Sequence, residues 1–130
     1  MTRGQVLAVI VLTHLVISVL HGQAHTGAQV PLPIAGALFV YIVILAGPIV
    51  GLTVARWRPR AGSLIVAGCM FGALVFGLVN HFMIEGQDHV AHVAVEWRTL
   101  FGTTAVLLAV SEVMGVAAGV WAGARAEGRS

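Results

Sequence analysis

Residues 33–60, PIAGALFVYIVILAGPIVGLTVARWRPR, run from Pro33 to Ala55 without a charged residue and then meet Arg56, Arg58 and Arg60 beside Trp57. A bilayer's hydrocarbon is roughly 30 Å thick and a helix rises about 1.5 Å per residue, so about 20 apolar residues cross it. This stretch is long and apolar enough to do so. The arginines that end it mark the cytoplasmic side, where basic residues gather, and the tryptophan suits the lipid–water boundary.

The pattern recurs on either side. Arg3 precedes an apolar run from about Gln5 to Leu20, and a run from Leu64 to Ile84 leads into Glu85-Gly86-Gln87-Asp88-His89. Another, from about Leu100 to Trp121, ends at Arg125 and Arg129. The spans expected are 5–21, 33–55, 63–84 and 98–122. The chain has 130 residues, 58% hydrophobic and 9% charged, with a mean hydropathy of +0.96, too apolar for a soluble domain. The sequence therefore predicts an all-α membrane protein, a single domain over residues 1–130 built as a compact up-down bundle of four transmembrane helices. Six of the seven arginines fall on one side, which predicts a multi-pass protein of the cell membrane with both termini inside. The exception, Arg98, stands beside Glu96 and Trp97, where a local ion pair is expected to hold it. The pI of 9.5 does not mark a nucleic-acid partner, because the basic residues stand singly or in one short loop beside apolar spans. The expected partner is the lipid bilayer.

A rival reading makes the first run a cleavable signal peptide, with Arg3 as its basic start, Val6 to Leu20 as its apolar core and Gly22-Gln23-Ala24 as the cleavage site. Thr13, His14 and Ser18 interrupt that core and favour an intact span. Cys69, the single cysteine, sits in an apolar run and reads as a small buried hydrophobe. Glycines recur at four-residue spacing in Gly47/Gly51, Gly68/Gly72 and Gly115/Gly119/Gly123, which lets helix backbones approach closely. They serve packing within the bundle first, and a homo-oligomer or larger membrane complex second. Pro48 removes a backbone donor and is expected to kink or loosen the second helix.

The polar chemistry gathers opposite the arginines. Five of six histidines and three of five acids lie there. If the first helix continues past the membrane edge, His14, His21 and His25 form one stripe. If the second connection is helical, His81, Glu85, Asp88, His92 and Glu96 share one face. The resulting expectation is a metal site of His21, His25, Asp88, His89 and His92, with His81 and Glu85 as ligands or supports nearer the membrane. Nitrogen and oxygen donors without thiolates suit Zn, Ni, Cu(II) or Fe. Haem b held by His21 and His81 is a weaker alternative, since no second histidine stands on the inner side to complete a two-haem arrangement. Within the fourth span, Glu112 is a costly intramembrane acid. Helical rise puts His14 and Glu112 about 17 and 20 Å above the inner arginines, so they are expected to pair as a structural tie or a proton relay.

Gly86-Gln87-Asp88-His89-Val90-Ala91-His92-Val93-Ala94 and Ala24-His25-Thr26-Gly27 together resemble the Gly-x-Asp-His motif and the histidine-containing N-terminal region of HupE/UreJ-type nickel permeases. The resemblance covers 13 of 130 residues. The His-Pro element that precedes the family's motif is absent, and four spans are fewer than that family has. The resemblance adds to the metal reading without placing the chain in the family.

The function these features predict is an integral membrane protein that binds, and delivers or conducts, a divalent transition metal through an outer histidine–carboxylate cluster. The alternatives are a non-catalytic accessory subunit of a larger membrane complex, or a haem- or quinone-binding membrane subunit. No Ser/His/Asp arrangement, phosphate-binding loop or dinucleotide fingerprint is present, so no catalytic residue is assigned and enzymatic activity is the least favoured reading.

Overall fold

The computed structural model describes residues 1–124; the inner markers Arg125 and Arg129 lie outside the described residues. Four helices form a compact bundle: α1 (Arg3–Gly27), α2 (Ile34–Ala55), α3 (Pro59–Met83) and α4 (Val95–Ala124). Each is long and apolar enough to cross a membrane.

The helix ends have local causes. Thr2 and Gln5 cap the start of α1 reciprocally, the Thr2 N–H donating to Gln5 Oε1 at 2.7 Å and the Gln5 N–H to Thr2 Oγ1 at 3.3 Å. α1 then outruns its expected end near Leu20 and continues through Gly22 to Gly27. It stops where Gln29 adopts φ 54, with the Val30 N–H on His25 O at 3.0 Å and the Gln29 N–H on Thr26 O at 3.2 Å. This paired closure of the last carbonyls is a Schellman motif. Its consequence is that His21 and His25 stand on helix rather than on a loop.

α2 has wide π-helical turns over Val40–Ala46, immediately before Gly47 and Pro48. Pro48 offers no N–H and its ring crowds the carbonyl four residues back, while the Gly47 N–H reaches Ile42 O, five residues back. α3 ends in a second π-helical stretch, Val79–Met83, closed by the Ile84 N–H on Val79 O at 2.9 Å. Ile84 is extended (φ -92, ψ 121), and residues 84–94 fold as turns instead of continuing as helix. The Val90 N–H donates to His81 O at 3.0 Å and folds this loop back over the end of α3.

Sequence neighbours pack antiparallel, as does α4 against α1. Gly51 faces Gly62 and Val66 across α2–α3, and Gly115 faces Met70 across α3–α4. A Cβ on Gly119 would lie 2.7 Å from Ser63 O, so only glycine lets these backbones come this close. Gly68 faces open space. Arg3 lies 5.0 Å from the centre of the Trp121 ring, joining the start of α1 to the end of α4. Arg98 donates to Val93 O at 3.1 and 3.3 Å, and among the described residues makes no ion pair with Glu96. Residues two apart on a helix point to different faces. Two apolar clusters close the bundle: Leu7, Val11, Val66 and Met70 toward the arginine end, and Ala24, Val93 and Phe101 at the histidine end. The polar groups lie between and beside them.

Candidate metal centre

Two helices and one loop bring four polar side chains together. α1 carries His21 and His25 one turn apart, the π-helical end of α3 carries His81, and the folded-back loop supplies Asp88. One ring nitrogen from each histidine lies within 4.8 Å of the others. Asp88 Oδ1 is 3.2 Å from His81 Nδ1 and 3.4 Å from His25 Nε2. His21 and His81 are buried, and His25 and Asp88 are largely so. Phe101 of α4 lies against all three imidazoles, with ring centres at 4.7, 4.9 and 5.2 Å.

The hydrogen bonds assign the protons. Thr104 Oγ1 donates to Leu100 O at 2.7 Å, so it accepts from His21 Nδ1–H at 2.8 Å. His81 Nδ1 meets only acceptors, Asp88 O and Asp88 Oδ1, each at 3.2 Å, and is therefore the donor. Each ring then keeps a lone pair on Nε2, and the two Nε2 atoms face one another at 3.2 Å. Two lone pairs in that position repel unless a cation sits between them. Two further buried atoms have no hydrogen-bond partner among the described residues: His25 Nδ1, and Asp88 Oδ1, which makes only the ionic contacts with His25 and His81.

Tetrahedral zinc with Zn–N bonds of about 2.05 Å sets its ligand atoms about 3.4 Å apart. The His21–His81 separation of 3.2 Å fits that edge. A third imidazole within 4.8 Å closes the set by moving in by up to about 1.4 Å. The cluster is therefore able to chelate a metal ion.

Of the other residues singled out in the sequence, the structure gathers none beside this triad. Glu85 is exposed. His89 Nδ1 accepts from the Ala91 N–H at 3.2 Å, and His92 Nδ1 donates to Gly86 O at 2.9 Å, so both fasten their own turn. Their rings are tilted by 45° to each other, with centres 5.3 Å apart. Deeper in the bundle, buried His14 lies 4.0 Å from Glu112 Oε1, an ion-pair separation too long for a hydrogen bond. His14 hydrogen-bonds instead to Ser111 Oγ at 3.3 Å and Ser18 Oγ at 3.4 Å.

A cavity of about 400 Å³ runs from the triad to Glu112, with all four helices in its walls. Thr104 is the member of the site that sequence reasoning missed. A threonine in an apolar span commonly bonds its own backbone, as this one does, and only the packing of α1 on α4 shows that it also receives His21. Comparison with protein-family models, with curated proteins and with solved structures finds no match.

Proposed function

We propose that this is an integral membrane protein that holds a divalent transition-metal ion at the outer face of the membrane, with His21, His25 and His81 as ligands. The observation that carries the reading is the pair of Nε2 lone pairs facing each other at 3.2 Å between rings whose other nitrogens are already engaged. Asp88 orients His81 and His25 as a carboxylate behind a metal-bound imidazole does, and Thr104 does the same for His21. Three nitrogen ligands would leave a fourth coordination position open, and the cavity that the three histidines line would give a further ligand room to reach the ion.

The donor set suits Zn, Ni, Cu(II) or Fe(II). The close edge-to-edge approach of His21 and His81 favours a bare ion, since a haem between them would need the two nitrogens on opposite faces of the porphyrin. The arginine-bearing connection between α2 and α3 supports an inner location for that end, and hence an outer one for the triad. Passage of an ion onward requires opening of the layer of Leu7, Val11, Val66 and Met70 beneath the cavity. Capture at the triad is therefore the primary activity, and delivery or conduction follows it.

Zinc titration of the purified protein against a chelating dye tests the reading. The wild type takes up one ion, and His81→Ala loses it. Equal uptake by both proteins overturns the assignment.

A further inference from the structure

The cavity also bears on what else enters this protein. Its walls are mostly apolar, and its two polar ends, the triad and Glu112, are separated: Thr104, which stands behind His21, is eight residues before Glu112 on α4, about 12 Å by helical rise. Val19 of α1 and Tyr41 of α2 both line it, yet are 62% and 66% exposed, so the cavity opens between these two helices. The half of α2 before Gly47 scarcely touches α1, which leaves that side unsealed. Val19 stands near the outer edge of its expected span, whereas Tyr41 lies seven residues after the start of α2, about 10 Å below that helix end, so the opening reaches from the membrane edge down along α2. Along α2 the opening therefore faces hydrocarbon rather than water.

Glu112 gives the second observation. It is only 3% exposed and lines the cavity, and among the described residues nothing hydrogen-bonds its carboxyl, with His14 at 4.0 Å its nearest ionic neighbour. An unbonded carboxyl at this depth is costly, and a ligand bearing an oxygen would relieve it. An acyl chain would fill the walls but leave Glu112 and the triad end unmet. A small ring with oxygens on opposite edges and an apolar tail meets both ends and leaves through the opening.

We infer that the cavity binds a lipid-soluble quinone entering sideways from the bilayer between α1 and α2, its ring lying between the triad and Glu112. A volume of about 400 Å³ accommodates the ring and the first part of a tail. Glu112 bonds one ring oxygen, as donor to a quinone carbonyl or acceptor from a quinol hydroxyl. The binding needs no metal ion and stands apart from the metal reading.

The test uses the full chain in lipid nanodiscs after chelator treatment, with Tyr41→Trp as a fluorescent reporter at the opening, titrated with a short-tailed benzoquinone. Saturable quenching beyond that of the Tyr41 parent is expected. Glu112→Leu raises its midpoint about tenfold, and Ala109→Phe, which fills the cavity, abolishes it at unchanged helix content. Quenching without saturation, or one midpoint in all variants, overturns the inference. Decane provides a check that needs no cavity variant: displacement of the quinone by this plain alkyl chain at equal concentration would mean that the ring is not recognised, and also overturns it.

Discussion

His21 and His81 each give up one ring N–H to a fixed acceptor and turn the other nitrogen toward its counterpart, so the chemistry of the site is set by which atoms remain free. Removing one of those free nitrogens should cost far more than removing a histidine that merely lies nearby. His21→Ala is expected to lower zinc affinity at least about a hundredfold, whereas the double change His89→Ala/His92→Ala should shift it less than about threefold. Chelator competition on the purified variants checks both. The orienting groups should matter at an intermediate level: Thr104→Val and Asp88→Asn are each expected to weaken binding by about ten- to a hundredfold, measured in the same way. At this scale the sequence carried part of the answer. His21, His25, His81 and Asp88 are legible as candidates because donors are scarce in so apolar a chain. Which of the seven candidates converge was not legible, because that depends on how α1, α3 and α4 rotate against one another and on a loop that folds back through one hydrogen bond, from the Val90 N–H to His81 O.

At the scale of the helices, hydropathy set the spans and local chemistry set their ends. The four apolar runs appear as α1 to α4, because over a membrane's thickness Glu112 of the fourth is the one acid or arginine that interrupts them. The extension of α1 to Gly27 was harder to read: glycines at 22 and 27 argue against helix, and the stop is made by Gln29, whose type gives little sign of a left-handed conformation. This residue supports a stability prediction. Gln29→Gly removes the steric cost of φ 54 and should stabilise the protein by about 1 kcal/mol, read as a higher denaturation midpoint. Gly119→Val should do the opposite, because a side chain there meets Ser63 O and Ala67 and forces α3 away from α4. Loss of the folded fraction in the same assay is the expected result. The π-helical stretch before Pro48 follows from proline chemistry, but the one that carries His81 has no such residue to announce it.

The whole molecule is a bundle with two unlike ends, and its placement in the membrane decides what the polar end meets. Arg56, Arg58 and Arg60 lie in the connection opposite the triad, so a membrane-impermeant maleimide should label Gln87→Cys but not Arg58→Cys in intact cells, with Cys69 changed to Ser. The reverse labelling would place the histidines inside. If the triad holds an ion, binding is linked to folding, and chelation should lower the melting temperature of the wild type while leaving His81→Ala unmoved. The most direct measurement is elemental content by mass spectrometry of the untagged protein, purified without chelators beside a His21→Ala/His81→Ala control. The expected result is close to one transition-metal ion per chain in the wild type and none in the control; no metal in the wild type, or an equal amount in both, would contradict the metal centre.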